Sequence, residues 1–185
     1  MKAVQLFNTW ADLGKDGGME INHGPSVLHM LDLIPKNILE SKFNFLDIGC
    51  GNGWVVKKVS SFPNCFRAVG IDGAEKMIKK AILKDSKSEY LCLDLNNIKN
   101  YNEAFDVVLS MEVFYYLTNP QKTINYIFNN LVKKGGFFIM GIDHYSENKK
   151  SLSWSHDLNV KMHTYSISEW GGMMKNSGFS NISTF

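Results

Sequence analysis

Three alternating glycines behind an acid, Asp47-Ile48-Gly49-Cys50-Gly51-Asn52-Gly53, have the clearest chemical potential in this 185-residue sequence. Gly49, Gly51 and Gly53 carry no Cβ, so the backbone can turn tightly there and let a ligand approach closely. A helix beginning just after such a loop offers unbonded N–H groups. Further along, Asp72 and Asp94 each close a short apolar run and Ser110 closes another, the acids lying about one strand-helix-strand unit apart. If those runs are parallel strands, their ends share one edge of a sheet, the edge at which open α/β folds bind ligands. Carboxylates there can accept hydrogen bonds from ribose hydroxyls or from an amine, so a nucleoside-like ligand is indicated.

The elements that must position these residues follow from the pattern. Short β-rich apolar runs alternate with longer helical ones, the mark of a parallel sheet covered on both faces. Strands are predicted at Phe43 to Ile48, Phe66 to Ile71, Glu89 to Leu93, Phe105 to Leu109, Phe137 to Ile142 and Asn181 to Phe185. Helices are predicted at Trp54 to Phe62, closed by Pro63, and at Ala74 to Lys84, where Met77, Ile78, Ala81 and Ile82 share a helical spacing. A third helix is predicted at Pro120 to Val132, and a fourth at Ser166 to Asn176 with a serine cap before it and Gly178 after it. Residues 1–40 read as an N-terminal helical extension or lid, helical around Pro25 to Leu33. Residues 41–185 read as the ligand-binding domain. Residues 143–165 form a long connection within it, and a loop of that length in a compact domain is usually either functional or disordered.

The glycine spacing narrows the ligand. A dinucleotide fingerprint G-x-G-x-x-G would need a third glycine at position 54, where Trp54 stands. The observed D-x-G-x-G-x-G resembles the first motif of the class I, Rossmann-like S-adenosylmethionine-dependent methyltransferases. Val69-Gly70-Ile71-Asp72 resembles their second motif, Cys92-Leu93-Asp94-Leu95 the third, and Phe105 to Glu112 the fourth. Leu131 to Gly136 resembles the turn before their fifth strand. The resemblance implies a three-layer α-β-α sandwich around a mostly parallel sheet, S-adenosylmethionine as methyl donor and S-adenosylhomocysteine as product. It implies donor contacts from Asp47, Gly49, Cys50, Gly51, Gly53, Asp72, Gly73, Asp94, Leu95 and Ser110. The ribose falls to Asp72 and the adenine to Asp94 and Leu95.

The sequence departs from the family in two places. Tyr116 stands where such enzymes often carry a histidine, and the chain stops at Phe185, before the seventh, antiparallel strand that usually lies between the fifth and sixth. An open sheet edge would invite pairing, so a homodimer is one expectation. Tyr116 and His144 are the candidate catalytic groups, His144 because it follows the fifth strand on the ligand edge. The connection from Asp143 to Tyr165, with Tyr145, Trp154, His156, Asp157 and His163, is the candidate acceptor lid, and Phe7, Trp10 and Met19 are placed on the opposite wall. The reaction expected is in-line methyl transfer to a small molecule or a protein group. Two rivals stand beside it: a donor-binding module that supports a partner without turnover, and a nicotinamide-dependent oxidoreductase, against which Trp54 argues.

Composition excludes several other classes. A net charge of +2 with scattered lysines gives no basic face for nucleic acid. The five histidines and three cysteines show neither HExxH nor CxxC spacing, so no metal site is expected. No apolar stretch reaches the ~20 residues that span a bilayer. A cytoplasmic location is the expectation.

Overall fold

The computed structural model describes residues 1–185. Helices α1 (Ala3–Asp12), α2 (Gly17–Asp32) and α3 (Lys36–Leu39) precede the sheet. The alternation then runs β1 (Phe43–Ile48), α4 (Trp54–Ser60), β2 (Cys65–Asp72), α5 (Glu75–Lys84), β3 (Glu89–Cys92) and β4 (Phe105–Met111). It continues with α6 (Pro120–Tyr126), a π-helical turn (Ile127–Leu131), β5 (Val132–Gly141), α7 (Trp154–Asp157) and α8 (Ile167–Ser177). The five strands are parallel in the order β3-β2-β1-β4-β5, so the order reverses between β1 and β4. Crossovers of one hand on either side of β1 put helices on both faces.

Strand period explains the two cores. Phe43, Phe45, Val107 and Leu109 face α2 and α4, together with Val27, Leu31 and Val56. Their alternates Leu46, Ile48, Val69, Ile71 and Val108 face the other layer, with Ile124 and Ile127 of the α6 segment and Trp170 of α8. Strands buried on both faces read as continuous apolar runs, which is why the central ones are visible in the sequence. Asp47 is the one acid inside the β1 run, and it is 2% exposed.

Helix ends follow local chemistry. Asn119 caps α6 by accepting the Lys122 N–H at 3.0 Å, with Pro120 at the first helical position. Ser166 and Glu169 form a reciprocal capping box on α8, and Gly178 ends it at φ 109°.

Four features differ from the expectations. Asn181–Phe185 is not a strand: Ile182 and Phe185 lie exposed, and with nothing to bury they gain nothing from joining the β5 edge. The expected helix through Val132 gives up its α geometry after Tyr126, and the chain enters β5 at Val132. The Gly135-Gly136 turn is an interruption within that strand, since Phe105 pairs with Val132 and Val107 with Phe137. The N-terminal region is more helical than expected, and α2 runs through Pro25. No helix is long and apolar enough to cross a membrane.

Candidate active site

The strand tips open on a cavity of about 550 Å³, within the range of roughly 300–1,000 Å³ usual for small-molecule sites. It lies at the carboxyl ends of β1, β2 and β4, where the strand order reverses. Asp47, Gly49, Cys50 and Gly51 line it from the first loop, Asp72 and Gly73 from the second, and Asp94 and Leu95 from the third. The acidic tips therefore converge on one hollow.

Packing explains the loop's composition. Gly49 has φ 79°, and a Cβ on it would sit 2.1 Å from Val113 Cγ2. A side chain at Gly53 would meet Ala81 and Tyr90, each at 2.7 Å, so that glycine lets α4 close on α5 and β3. Asp72 holds the loop by accepting the Gly51 N–H at 2.9 Å and the Ala74 N–H at 2.7 Å. Burial nevertheless lifts the Asp72 pKa above the ordinary carboxylate value. The Asp47 carboxylate takes no hydrogen bond, and burial, with the Asp72 charge second, lifts its pKa to about 8. An almost fully buried carboxylate without a partner, opening only on a cavity, calls for a ligand that brings a donor or a positive charge. Asp94 is exposed and accepts the Asn96 N–H at 3.0 Å, so it caps the following 3₁₀ turn while lining the cavity. Burial pushes the Cys50 thiol well up, which leaves it a filler of the loop and no nucleophile.

Three of the residues expected to contact the donor or act in catalysis stand elsewhere. Ser110 is fully buried, and its hydroxyl donates to the Ile48 carbonyl at 2.7 Å, tying β4 to β1. Gly53 packs behind the loop and does not line the cavity. His144 is fully buried outside the cavity, with Nδ1 2.9 Å from the Ser151 carbonyl oxygen and Nε2 2.9 Å from Thr164 Oγ1. Both ring nitrogens are therefore engaged in holding the 143–165 connection together. Tyr116 does line the cavity. Burial first, then Glu112, lifts its pKa to about 12, so its hydroxyl keeps its proton at neutral pH.

The walls come from the two segments outside the repeating pattern. Phe7, Trp10 and Met19 line one side, with Phe7 edge-on to Tyr116 at 5.4 Å between ring centres. Asp143, Trp154, Asp157 and Leu158 line the other, whereas Tyr145, His156 and His163 do not reach the cavity. A buried network fixes the N-terminal wall to the glycine loop. Asn52 Nδ2 donates to Asp16 Oδ2 at 3.0 Å, and Lys80 Nζ stands 2.5 Å from Asp16 Oδ1. Burial opposes the Asp16 charge, but the Asn52 and Lys80 contacts outweigh it and hold the carboxyl below the ordinary range.

Sequence reasoning missed Glu112. It follows β4 with φ 61°, an uncommon backbone state for a residue with a side chain. Its carboxylate accepts the Tyr115 hydroxyl at 2.6 Å and the Asp143 N–H, and it lines the cavity. Burial, helped by Asp143, raises its pKa to about 7. The only available signal was its place at the end of the fourth motif.

Residues 24–184 match the family described as methyltransferase domain. A malonyl-[acyl-carrier protein] O-methyltransferase of Acetivibrio thermocellus is 32% identical over 113 residues, 60% of this chain and 38% of that protein. A mitochondrial ubiquinone biosynthesis O-methyltransferase of Dictyostelium discoideum is 31% identical over 126 residues, 60% of this chain and 37% of that protein. The matched region thus spans under two fifths of these relatives' length. Among solved structures, the methyltransferase in complex with the Haloferax volcanii Trm112 methyltransferase activator superposes with a TM-score of 0.84 at 29% identity, covering 93% of this chain and 75% of that one. An S-adenosylmethionine-dependent methyltransferase of Thermotoga maritima gives 0.72 at 18% identity, covering 96% and 81%, which speaks to the fold. The chain belongs to the methyltransferase-domain family and has the Rossmann-like fold of the solved methyltransferases it superposes on.

Proposed function

We propose that this chain binds S-adenosylmethionine in the strand-tip cavity and catalyses methyl transfer to a small-molecule acceptor that enters between α1 and the 143–158 segment. The observation that carries the reading is the partnerless, buried Asp47 carboxylate in a hollow it shares with Asp72 and Asp94. The residues fit the donor. Asp47 suits its ammonium group, Asp72 keeps lone pairs free for ribose hydroxyls beyond its two backbone bonds, and Asp94 with Leu95 borders the adenine end. When bound, the donor supplies an electrophilic methyl group on a sulfonium. The chain's own part is then alignment and exclusion of water. Phe7, Trp10 and Tyr116 exclude solvent from one side and Trp154 from the other. Tyr116, protonated at neutral pH, serves as a wall and a hydrogen-bond donor.

The test is donor binding. S-adenosylhomocysteine should bind the isolated chain by calorimetry, and Asp72→Ala should weaken it by about 1–3 kcal/mol, the range for losing charge-assisted hydrogen bonds. An unchanged affinity in a folded variant would remove the ribose assignment. Methyl turnover by the isolated chain separates an enzyme from a donor-binding module that serves a partner.

A further inference from the structure

The acceptor's chemical class can be read from the charge of the cavity. Its carboxylate lining consists of Asp47, Asp72, Asp94, Glu112, Asp143 and Asp157, and His23 is the one basic side chain; no lysine or arginine lines it. The first three carboxylates belong to the donor end. The donor brings a sulfonium, an ammonium and a carboxylate, one net positive charge, so it leaves the hollow negative. The surplus lies where the acceptor must stand. Glu112 and Asp143 are joined there by the Asp143 N–H, which donates to Glu112. His23 offers only partial compensation, with Nδ1 3.8 Å from Asp143 Oδ2. Aromatic side chains from three elements enclose this end: Phe7 and Trp10 of α1, Tyr116 after β4, and Trp154 of α7. Their faces attract cations. An anionic acceptor would meet carboxylates with no guanidinium or ammonium group to receive it.

We infer that the acceptor is a small amine that enters as a cation, held between the Glu112–Asp143 carboxylates and the aromatic wall of Phe7, Trp10, Tyr116 and Trp154. The inference rests on the methyltransferase reading and sharpens it. It sets this chain apart from relatives whose names specify O-methylation.

An ammonium group has no lone pair, so it must lose a proton before it can accept a methyl group. Glu112 is the group placed to take it. The N–H bond breaks, its electron pair stays on nitrogen, and the proton joins a Glu112 carboxylate oxygen. The nitrogen lone pair then forms the N–CH₃ bond as the S–CH₃ bond breaks. The electrons of that bond return to sulfur, leaving a neutral thioether and a methylated ammonium product. Glu112 afterwards releases its proton to water. The Tyr115 hydroxyl, 2.6 Å from Glu112, orients the carboxylate throughout.

The experiment is calorimetric titration of the full chain, saturated with S-adenosylhomocysteine, with size-matched pairs of opposite charge: phenethylamine against 3-phenylpropionate, and butylamine against pentanoate. The amines should bind at least about tenfold more tightly than their anionic counterparts. Glu112→Gln and Asp143→Asn should each reduce amine affinity about five- to tenfold, while S-adenosylhomocysteine affinity stays within about twofold and reports that the variant is folded. Anions bound as tightly as amines, no binding of either, or amine affinity indifferent to both variants would overturn the amine assignment while leaving the donor reading intact. Failure of S-adenosylhomocysteine itself to bind would overturn the donor reading first, and this inference with it.

Discussion

Replacing Asp47 by Asn should make the unliganded protein more stable and a weaker binder of its donor. Asp47 is 2% exposed, and burial, with the Asp72 charge second, lifts its pKa from 3.8 to about 8. Because the folded value lies above the unfolded one, folding at neutral pH takes up a proton. The resulting penalty is absent below about pH 4, grows by up to about 1.4 kcal/mol per pH unit, and levels off above about pH 8. At pH 7 the full shift would correspond to roughly 4 kcal/mol. Structural relaxation and water in the open cavity reduce that to about 1–3 kcal/mol. Asparagine keeps the shape and removes the charge, so the variant should recover most of this at pH 8 and almost none at pH 4.5. For a chain of this size the gain at pH 8 is about 3–10 °C in Tm. Thermal melts followed by circular dichroism from pH 4.5 to 8.5 measure it, and repeating them with S-adenosylhomocysteine should shrink the variant's advantage. Equal melting temperatures and equal pH slopes for the two proteins would refute the claim that Asp47 is a desolvated, unpartnered acid.

Three other perturbations probe the scaffold. Gly49→Ala should cost about 2–4 kcal/mol in a urea titration, because its Cβ would overlap Val113 at a positive φ; adding Val113→Ala should restore only the steric part. Lys80→Ala leaves Asp16 with Asn52 alone, and should cost about 1–2 kcal/mol and speed amide exchange in residues 3–32. Unchanged exchange would show that the network does not hold the N-terminal wall. His144→Ala removes two buried hydrogen bonds and should cost about 2–4 kcal/mol. After correction for the folded fraction its turnover should stay within about twofold of the parent, and a loss above about a hundredfold would return His144 to a chemical role.

The sheet and the glycine loop were legible because parallel strands buried on both faces are apolar runs broken only at their ends, and Asp47, Asp72 and Asp94 mark those ends. Local pattern misled where it had no burial to report. Asn181 to Phe185 alternates like a strand, yet Ile182 and Phe185 meet no core. The N-terminal extension was legible as helical around Pro25 to Leu33, while the separate α1 helix rests on Leu6, Phe7, Trp10 and Ala11 at helical spacing. His144 looked functional from its distance past β5, but the connection folds so that the ring turns inward to Ser151 and Thr164. Glu112 escaped notice because its exposure to the cavity depends on a left-handed backbone turn at φ 61° and on Asp143, 31 positions away, neither of which leaves a local signature.

Asp47, Asp72 and Glu112 are all raised by burial, so each makes the empty fold costlier at neutral pH than a neutral residue would. None has a lysine or arginine beside it in the cavity. The chain can place such a cation beside an acid, as Lys80 shows against Asp16, which Asn52 of the glycine loop also contacts. The absence of a cation from the cavity is therefore a property of the site and no deficiency of the fold. A positive ligand is the natural counterpart of that arrangement, since it supplies from outside the charge that the walls withhold and stabilises the folded state in proportion to its affinity. The energy that destabilises the empty cavity is in this view the same energy that discriminates a cation from an anion of equal size.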